Sequence, residues 1–190
     1  MLTVTRQSEE AKTRQNSTEL VANFFERQLA NYLHFVLKAS AWSRHAGFSE
    51  QSVLEARLAP DMFSFSQQVE IACQLAMATF SRLAGEDPPS PPQPRIVSLD
   101  DARRAIEHAI RFLPNLAARV PYGWEAASVT LEVPTGGKLH FTGRRFVDEF
   151  CIPNFMFHMT TTYAILRNQG APLGKLDFHG VADAEHREYV

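Results

Sequence analysis

Apolar residues recur at three- and four-residue steps in four separate stretches of this chain, and a spacing near 3.6 residues admits little besides amphipathic helices. The first stretch joins Val21, Phe25, Leu29, Leu33, Val36 and Leu37, with Ser17 or Thr18 placed to cap it and Gly47 to end it. The second starts at Ser64 or Ser66 and runs to Ala84, with Val69, Cys73, Ala76, Phe80 and Leu83 on one face and Gly85 as its stop. Ser98, followed by Asp100 and Asp101, opens a third stripe through Ala102, Ile106, Ile110, Leu113, Ala117 and Val120, with Pro114 expected to kink it. The last spans Gly143 to Asn168 and buries Cys151, Phe155, Met159, Thr162 and Leu166, with a kink expected at Pro153.

Between the third and last helices the period changes to two. Val129, Leu131 and Val133 alternate with polar residues, Pro134-Thr135-Gly136-Gly137 supplies a turn, and Leu139 and Phe141 resume the alternation, which predicts a small β-hairpin. Phe48 to Phe63 reads as a connection holding a helical turn and a corner at Ala59-Pro60-Asp61. Pro88, Pro89, Pro91, Pro92 and Pro94 predict a stiff surface loop. The expected organisation is a flexible extension over 1–16 and one mainly α domain over 17–190, a four-helix bundle with a hairpin.

Charge and cysteine usage narrow the partners. With 19 Lys and Arg against 21 Asp and Glu the net charge is -2, and no basic run tracks a phosphate backbone, so nucleic acid is not expected. No segment reaches the roughly 20 apolar residues of a membrane span, and the first 16 residues lack a signal-peptide core. Cys73 and Cys151 lack the spacing of a disulfide framework, and a reduced, cytoplasmic chain accounts for them. Both fall on apolar helix faces, where burial keeps a thiol inert.

Among the seven histidines, His158 points inward from the middle of the last helix, one turn after Asn154 and one turn before Thr162. His34 lies on the flank of the first helix, where it could face His158 across the bundle. His45 lies about 16 Å further along that helix and does not reach the same point. His108, His140, His179 and His186 read as surface residues. Arg57 to Met62 gathers charge around a proline corner; Asp61 there suits a base or an anchor at a pocket mouth, and His45 suits the same corner. Ala72, Cys73 and Ala76 make the second helix narrow, permitting either close helix approach or a hollow. Asp148 is expected to pair with Arg144 or Arg145. No phosphate loop, CxxC pair, HExxH or serine-elbow motif is present, which argues against hydrolases, kinases and dinucleotide enzymes.

Four segments carry a family resemblance: Ala56-Arg57-Leu58-Ala59-Pro60-Asp61-Met62-Phe63, Pro153-Asn154-Phe155-Met156-Phe157-His158, Tyr163-Ala164-Ile165-Leu166-Arg167, and Leu173-Gly174-Lys175 with Asp177. Together they resemble a domain-of-unknown-function family within the DinB/YfiT-like superfamily, whose members are classed as metalloenzymes, over roughly 18–180. The resemblance implies an up-down-down-up helix order, frequent homodimers and, in some members, metal-dependent thiol transfer or isomerisation. Members that hold a metal use one histidine on the second helix and two histidines four residues apart on the fourth. Here the second helix has no histidine, and Asn154 and Thr162 flank His158 at the four-residue positions, so only one of three ligands matches and no metal or cofactor is expected.

Two functions follow as expectations. In the first, a small molecule binds near His158, which acts as a metal-independent base or hydrogen-bond donor oriented by Thr162 or Asn154, with Asp61 and His45 at the mouth. In the second, a non-catalytic dimeric bundle has kept the scaffold and lost the metal site.

Overall fold

The computed structural model describes 2–90, 95–133 and 136–180, with side chains from residue 17 onward. Helix α1 covers Leu2–His45, α2 covers Glu50–Glu55, α3 covers Phe65–Leu83 and α4 covers Leu99–Ala117. A 3-10 turn at Trp124–Ala126 leads into strands β1 (Ser128–Glu132) and β2 (Lys138–Thr142). A continuous helical run follows as α5 (Gly143–Arg145), a π-helical segment Phe146–Cys151 and α6 (Ile152–Asn168), and α7 (Lys175–His179) comes last.

Cap chemistry explains most of these boundaries. Ser49 accepts from Ser52 N–H to open α2, and Ser64 and Gln67 form a reciprocal capping box at α3. At α4, Ser98 accepts from Asp101 N–H, while Glu50 of α2 accepts from Leu99 N–H at 2.8 Å, so a carboxylate from another element sits at the positive end of the helix. Gly47 takes a left-handed φ of 75° after α1, and Phe48 N–H reaches back to Ser43 O, a turn in which a side chain at Gly47 would be strained.

Two boundaries differ from expectation. The helix expected to begin at Ser17 has helical backbone from Leu2, so the 2–16 stretch continues α1; Ser17 lies inside that helix and donates to Glu125 Oε1 at 2.6 Å. Pro153, expected to kink the last helix, follows a π-helical turn. Proline lacks the N–H that would bond the carbonyl four residues earlier, and the wider ladder, with Ile152 N–H bonding Val147 O, absorbs the mismatch before Pro153.

The four long helices pack in the cyclic order α1, α4, α3, α6. Phe25 sits at their centre, edge-to-face with Phe80 of α3 at 5.9 Å and with Phe155 of α6 at 5.2 Å. The buried face of α1 is turned slightly from the predicted stripe: Ala22, Phe25, Leu29, Tyr32, Phe35, Val36 and Ala39 are buried, while Leu33 is half-buried and Leu37 is exposed. The hairpin pairs Val129 with Phe141 and Leu131 with Leu139, as the alternation indicated; Pro134 and Thr135 of its turn, and 91–94 of the proline loop, lie outside the described residues. Phe178 of α7 packs back on Phe35 at 6.1 Å and Tyr163 at 5.5 Å. Among the described residues, no helix is long and apolar enough to cross a membrane.

Candidate functional site

His158 lies on the buried side of α6 and is 7% exposed. Its Nδ1 is 2.6 Å from Oε1 of Gln68, which reaches it from the first turns of α3. The Gln68 amide also donates from Nε2 to the carbonyl of Phe63 at 3.3 Å, and this fixes which end of the amide faces the imidazole. An acceptor oxygen opposite Nδ1 requires the proton on Nδ1, so Nε2 carries the lone pair. Burial also holds the pKa of His158 below its ordinary value, which favours this neutral form.

Among the described residues Nε2 has no hydrogen-bond partner, yet the only fully buried side-chain polar atom without one is Nε1 of Trp124. The free nitrogen of His158 therefore meets solvent. Two exposed aromatic rings flank the imidazole, Phe63 at 6.5 Å and Phe157 at 5.4 Å. The result is a neutral imidazole set by a buried amide, its lone pair open to solvent and two exposed phenyl rings beside it.

Thr162, expected to orient the imidazole, serves the backbone instead. Its hydroxyl donates to the carbonyl of His158 at 2.9 Å, the usual recourse of a threonine inside a helix, and lies 2.6 Å from the hydroxyl of Tyr32. Tyr32 is fully buried, and desolvation raises its pKa well above the ordinary phenol value. Tyr32, Thr162, the His158 backbone, its ring, Gln68 and the Phe63 carbonyl thus form one polar chain linking α1, α6 and α3. Asn154 is half-buried and takes no part in it.

Sequence reasoning missed Gln68 and Tyr32, although both carried a signal. Gln68, Ala72 and Ala76 stand at four-residue steps on the narrow face of α3, so a polar group at the end of that row was aimed inward. Tyr32 lies three residues after Leu29 and four before Val36, on the inner face of α1.

The other candidates are dispersed. His34 is exposed and points to Asp177 of α7 at 3.4 Å, where Lys38 also reaches the carboxylate at 2.7 Å; it does not face His158. His45 is exposed in the last turn of α1. Asp61 is exposed in a turn closed by Met62 N–H to Ala59 O, and Arg57 bonds Met62 O and Gln67 Oε1 rather than Asp61. Asp148 pairs with Arg144. Cys73 and Cys151 are buried, each with its thiol pKa pushed up to about 12, chiefly by desolvation. Ala72 and Ala76 are fully buried where α3 meets α4 and α6, and neither of the two described cavities is lined by them or by His158.

Residues 18–179 match the family described as a domain of unknown function, DUF1993. The chain belongs to this family. Among solved structures, this DUF1993 member is similar to a DinB family member protein from Shewanella denitrificans, at 28% identity and a TM-score of 0.76, over 93% of this chain and 98% of that one. The family and the DinB-like superfamily expected from the four segments are the ones found. No curated protein matches the chain.

A divalent metal, implied by the superfamily, does not fit the donors at this site. Among the described residues no three histidine, cysteine, aspartate or glutamate side chains converge. Beside His158, the inner positions hold Gln68 and Thr162, whose neutral oxygens are already committed to hydrogen bonds.

Proposed function

We propose that this DUF1993 protein binds a small organic molecule at the surface around His158 and uses the imidazole as a metal-independent base. The observation that carries this is the asymmetric state of the ring: Nδ1–H is held by Gln68 while Nε2 is left to solvent, with the Phe63 and Phe157 rings close to the imidazole. A neutral imidazole with one nitrogen tied down is oriented to accept a proton or a hydrogen bond at the other. The two phenyl rings supply apolar surface for the body of a ligand. Asp61, two residues before Phe63, is a rim carboxylate in this arrangement; His45 has no step assigned to it.

The cyclic packing of the long helices is in keeping with an up-down-down-up four-helix bundle, and a homodimeric cytoplasmic protein is proposed on the superfamily resemblance of the sequence alone. Nucleic acid and membranes are not among the proposed partners.

The test is NMR of the full-length protein. Imidazole nitrogen shifts are expected to report the Nδ1–H tautomer. A panel of small organic acids, alcohols and ketones is expected to include compounds that saturably shift His158, Phe63 and Phe157, and these shifts should vanish in His158→Ala. If no compound reaches these residues, or those that do bind His158→Ala unchanged, the site has no such role and the non-catalytic bundle stands. Stoichiometric zinc uptake by the untagged protein that disappears in His158→Ala would overturn metal independence.

A further inference from the structure

We infer that α7 is a detachable strap: it closes the seam between α1 and α6, it opens without the rest of the bundle, and Asp177 is the clasp that sets how often. The seam depends on α7 as a filler, since α1 meets α7 more extensively than it meets α6 directly. Phe178 bridges the two long helices, stacked on Phe35 of α1 at 6.1 Å and edge-on to Tyr163 of α6 at 5.5 Å, while Phe35 and Tyr163 are 5.8 Å apart. Beside them Tyr32 lies 5.1 Å from Phe35, and its hydroxyl begins the polar chain that leads to His158.

The chain leading into α7 is anchored, and α7 itself is not. Ala171 is 0% exposed and Leu173 is 3% exposed; Ala171 N–H bonds Leu166 O at 3.0 Å, and Arg167 Nη1 donates to Ala171 O at 3.0 Å. From Gly174 onward the character changes. None of the five residues of α7 is buried. Five residues make barely more than one helical turn, far below the length at which a helix holds itself in water. The strap therefore forms only through its contacts with α1 and α6, and Gly174 is the hinge between the anchored and unanchored parts.

Those contacts are few. The apolar one is the half-buried ring of Phe178. The polar one is the Asp177 carboxylate: Oδ1 accepts from Lys38 Nζ at 2.7 Å and lies 3.4 Å from His34 Nε2, and Oδ2 accepts from Gly174 N–H at 2.7 Å. One side chain thus ties the first turn of α7 both to α1 and to the hinge. The Lys38 side chain is 43% exposed, so water and dissolved ions compete for the pair. At the far end Gly180 has a φ of 66°, and a Cβ there would stand 1.9 Å from Asn31 Oδ1, so the strap lies close against α1 when shut. A segment held by one half-buried ring and one solvent-accessible carboxylate opens far more readily than α3 or α6, whose inner residues make up the core. Opening uncovers Phe35 and Tyr163 together, an aromatic surface between α1 and α6 that the closed protein covers with Phe178.

The experiment is amide hydrogen exchange followed by NMR on the full-length protein. The amides of Phe178 and Gly180, which bond Gly174 O and Leu176 O, report closure of the strap, and those of Ala72 and Ala76 report the bundle. The strap amides are expected to exchange more slowly than a free chain, yet with protection at least about a hundredfold below that of Ala72 and Ala76 and little changed by urea below the unfolding transition. Asp177→Asn keeps the shape of the clasp and removes its charge. It should lower the strap's protection about fivefold, the size of a partly exposed charge pair, and leave Ala72 and Ala76 unchanged. Sodium chloride at about 1 M should act in the same direction on the native protein and add nothing in Asp177→Asn. In that variant the ring protons of Phe35 and Tyr163 should shift as the Phe178 ring is withdrawn. The inference is overturned if the strap amides exchange only with global unfolding, which makes α7 part of the bundle, or at the free-chain rate, which leaves no closed state. It is overturned equally if neither Asp177→Asn nor salt moves their protection, which takes the clasp away from Asp177. None of these readouts uses the His158 side chain, so the strap and the proposed function are tested separately.

Discussion

The imidazole of His158 is neutral because two effects act in the same direction: burial disfavours the cation, and the Gln68 oxygen holds a proton on Nδ1 without adding charge. The consequence for stability has a definite sign. A histidine whose folded pKa lies below its unfolded value takes up its proton more readily when unfolded, so stability falls as pH drops below the ordinary value of about 6.5 and levels off below the folded pKa. Urea unfolding between pH 7 and pH 5 should show this slope, and His158→Gln should remove its share; an unchanged slope in that variant would assign the titration to another group. Gln68→Leu tests the other partner. It leaves both Nδ1–H of His158 and the Phe63 carbonyl without their bond, and should cost about 1–3 kcal/mol by urea titration while releasing the tautomer preference seen by NMR. A loss below that range would mean that water replaces the amide at no cost. Gln68 was legible only in hindsight, because a sequence gives the face on which a side chain lies but not the partner it meets across the bundle.

Helix ends were the most legible elements, since caps are local chemistry. Ser49, Ser64 and Ser98 each accept from the backbone of the turn they open, and Ser64 and Ser98 stood at predicted starts. Ser64→Ala should lower stability by about 1 kcal/mol, measured by urea unfolding. The irregular passage into the last helix was not legible, because its cause is tertiary. At Gly143 a Cβ would stand 2.0 Å from the carbonyl oxygen of Trp124 and 3.1 Å from its Cε3, while Gly143 N–H bonds Ala127 O at 2.8 Å. The glycine thus lets the start of α5 close against the 3-10 turn, and nothing in the local sequence announces that approach. Gly143→Ala should force the two apart, lower stability by at least about 2 kcal/mol and shift the Trp124 indole signal. A folded variant with an unmoved signal would mean that the contact yields easily.

At the scale of the molecule, the pattern of long helices was readable because hydrophobic period follows from the chain alone, whereas contacts between distant segments were not: His158 meets Gln68, ninety residues away, and Gly143 closes against Trp124. Whether those meetings are held by one cooperative core can be read from the two thiols. Cys73 sits within α3, and Cys151 ends the π-helical turn beside Thr79 and Arg82 of the same helix. Both are buried, and with pKa values pushed up to about 12 only about one thiol in ten thousand is ionised at pH 8, so neither is reactive in place. Reaction with a disulfide reagent then requires the α3 and α6 interface to open. If that interface opens only with the rest of the core, both cysteines should react with a single rate constant that rises with urea in parallel with loss of the helical circular dichroism signal. Separate rates, with Cys151 modified while the helical signal persists, would show instead that the π-helical turn opens alone. The chain linking Tyr32, Thr162, His158 and Gln68 would then rest on a helix whose first turns move independently, and the fixed imidazole on which the proposed chemistry depends would be lost.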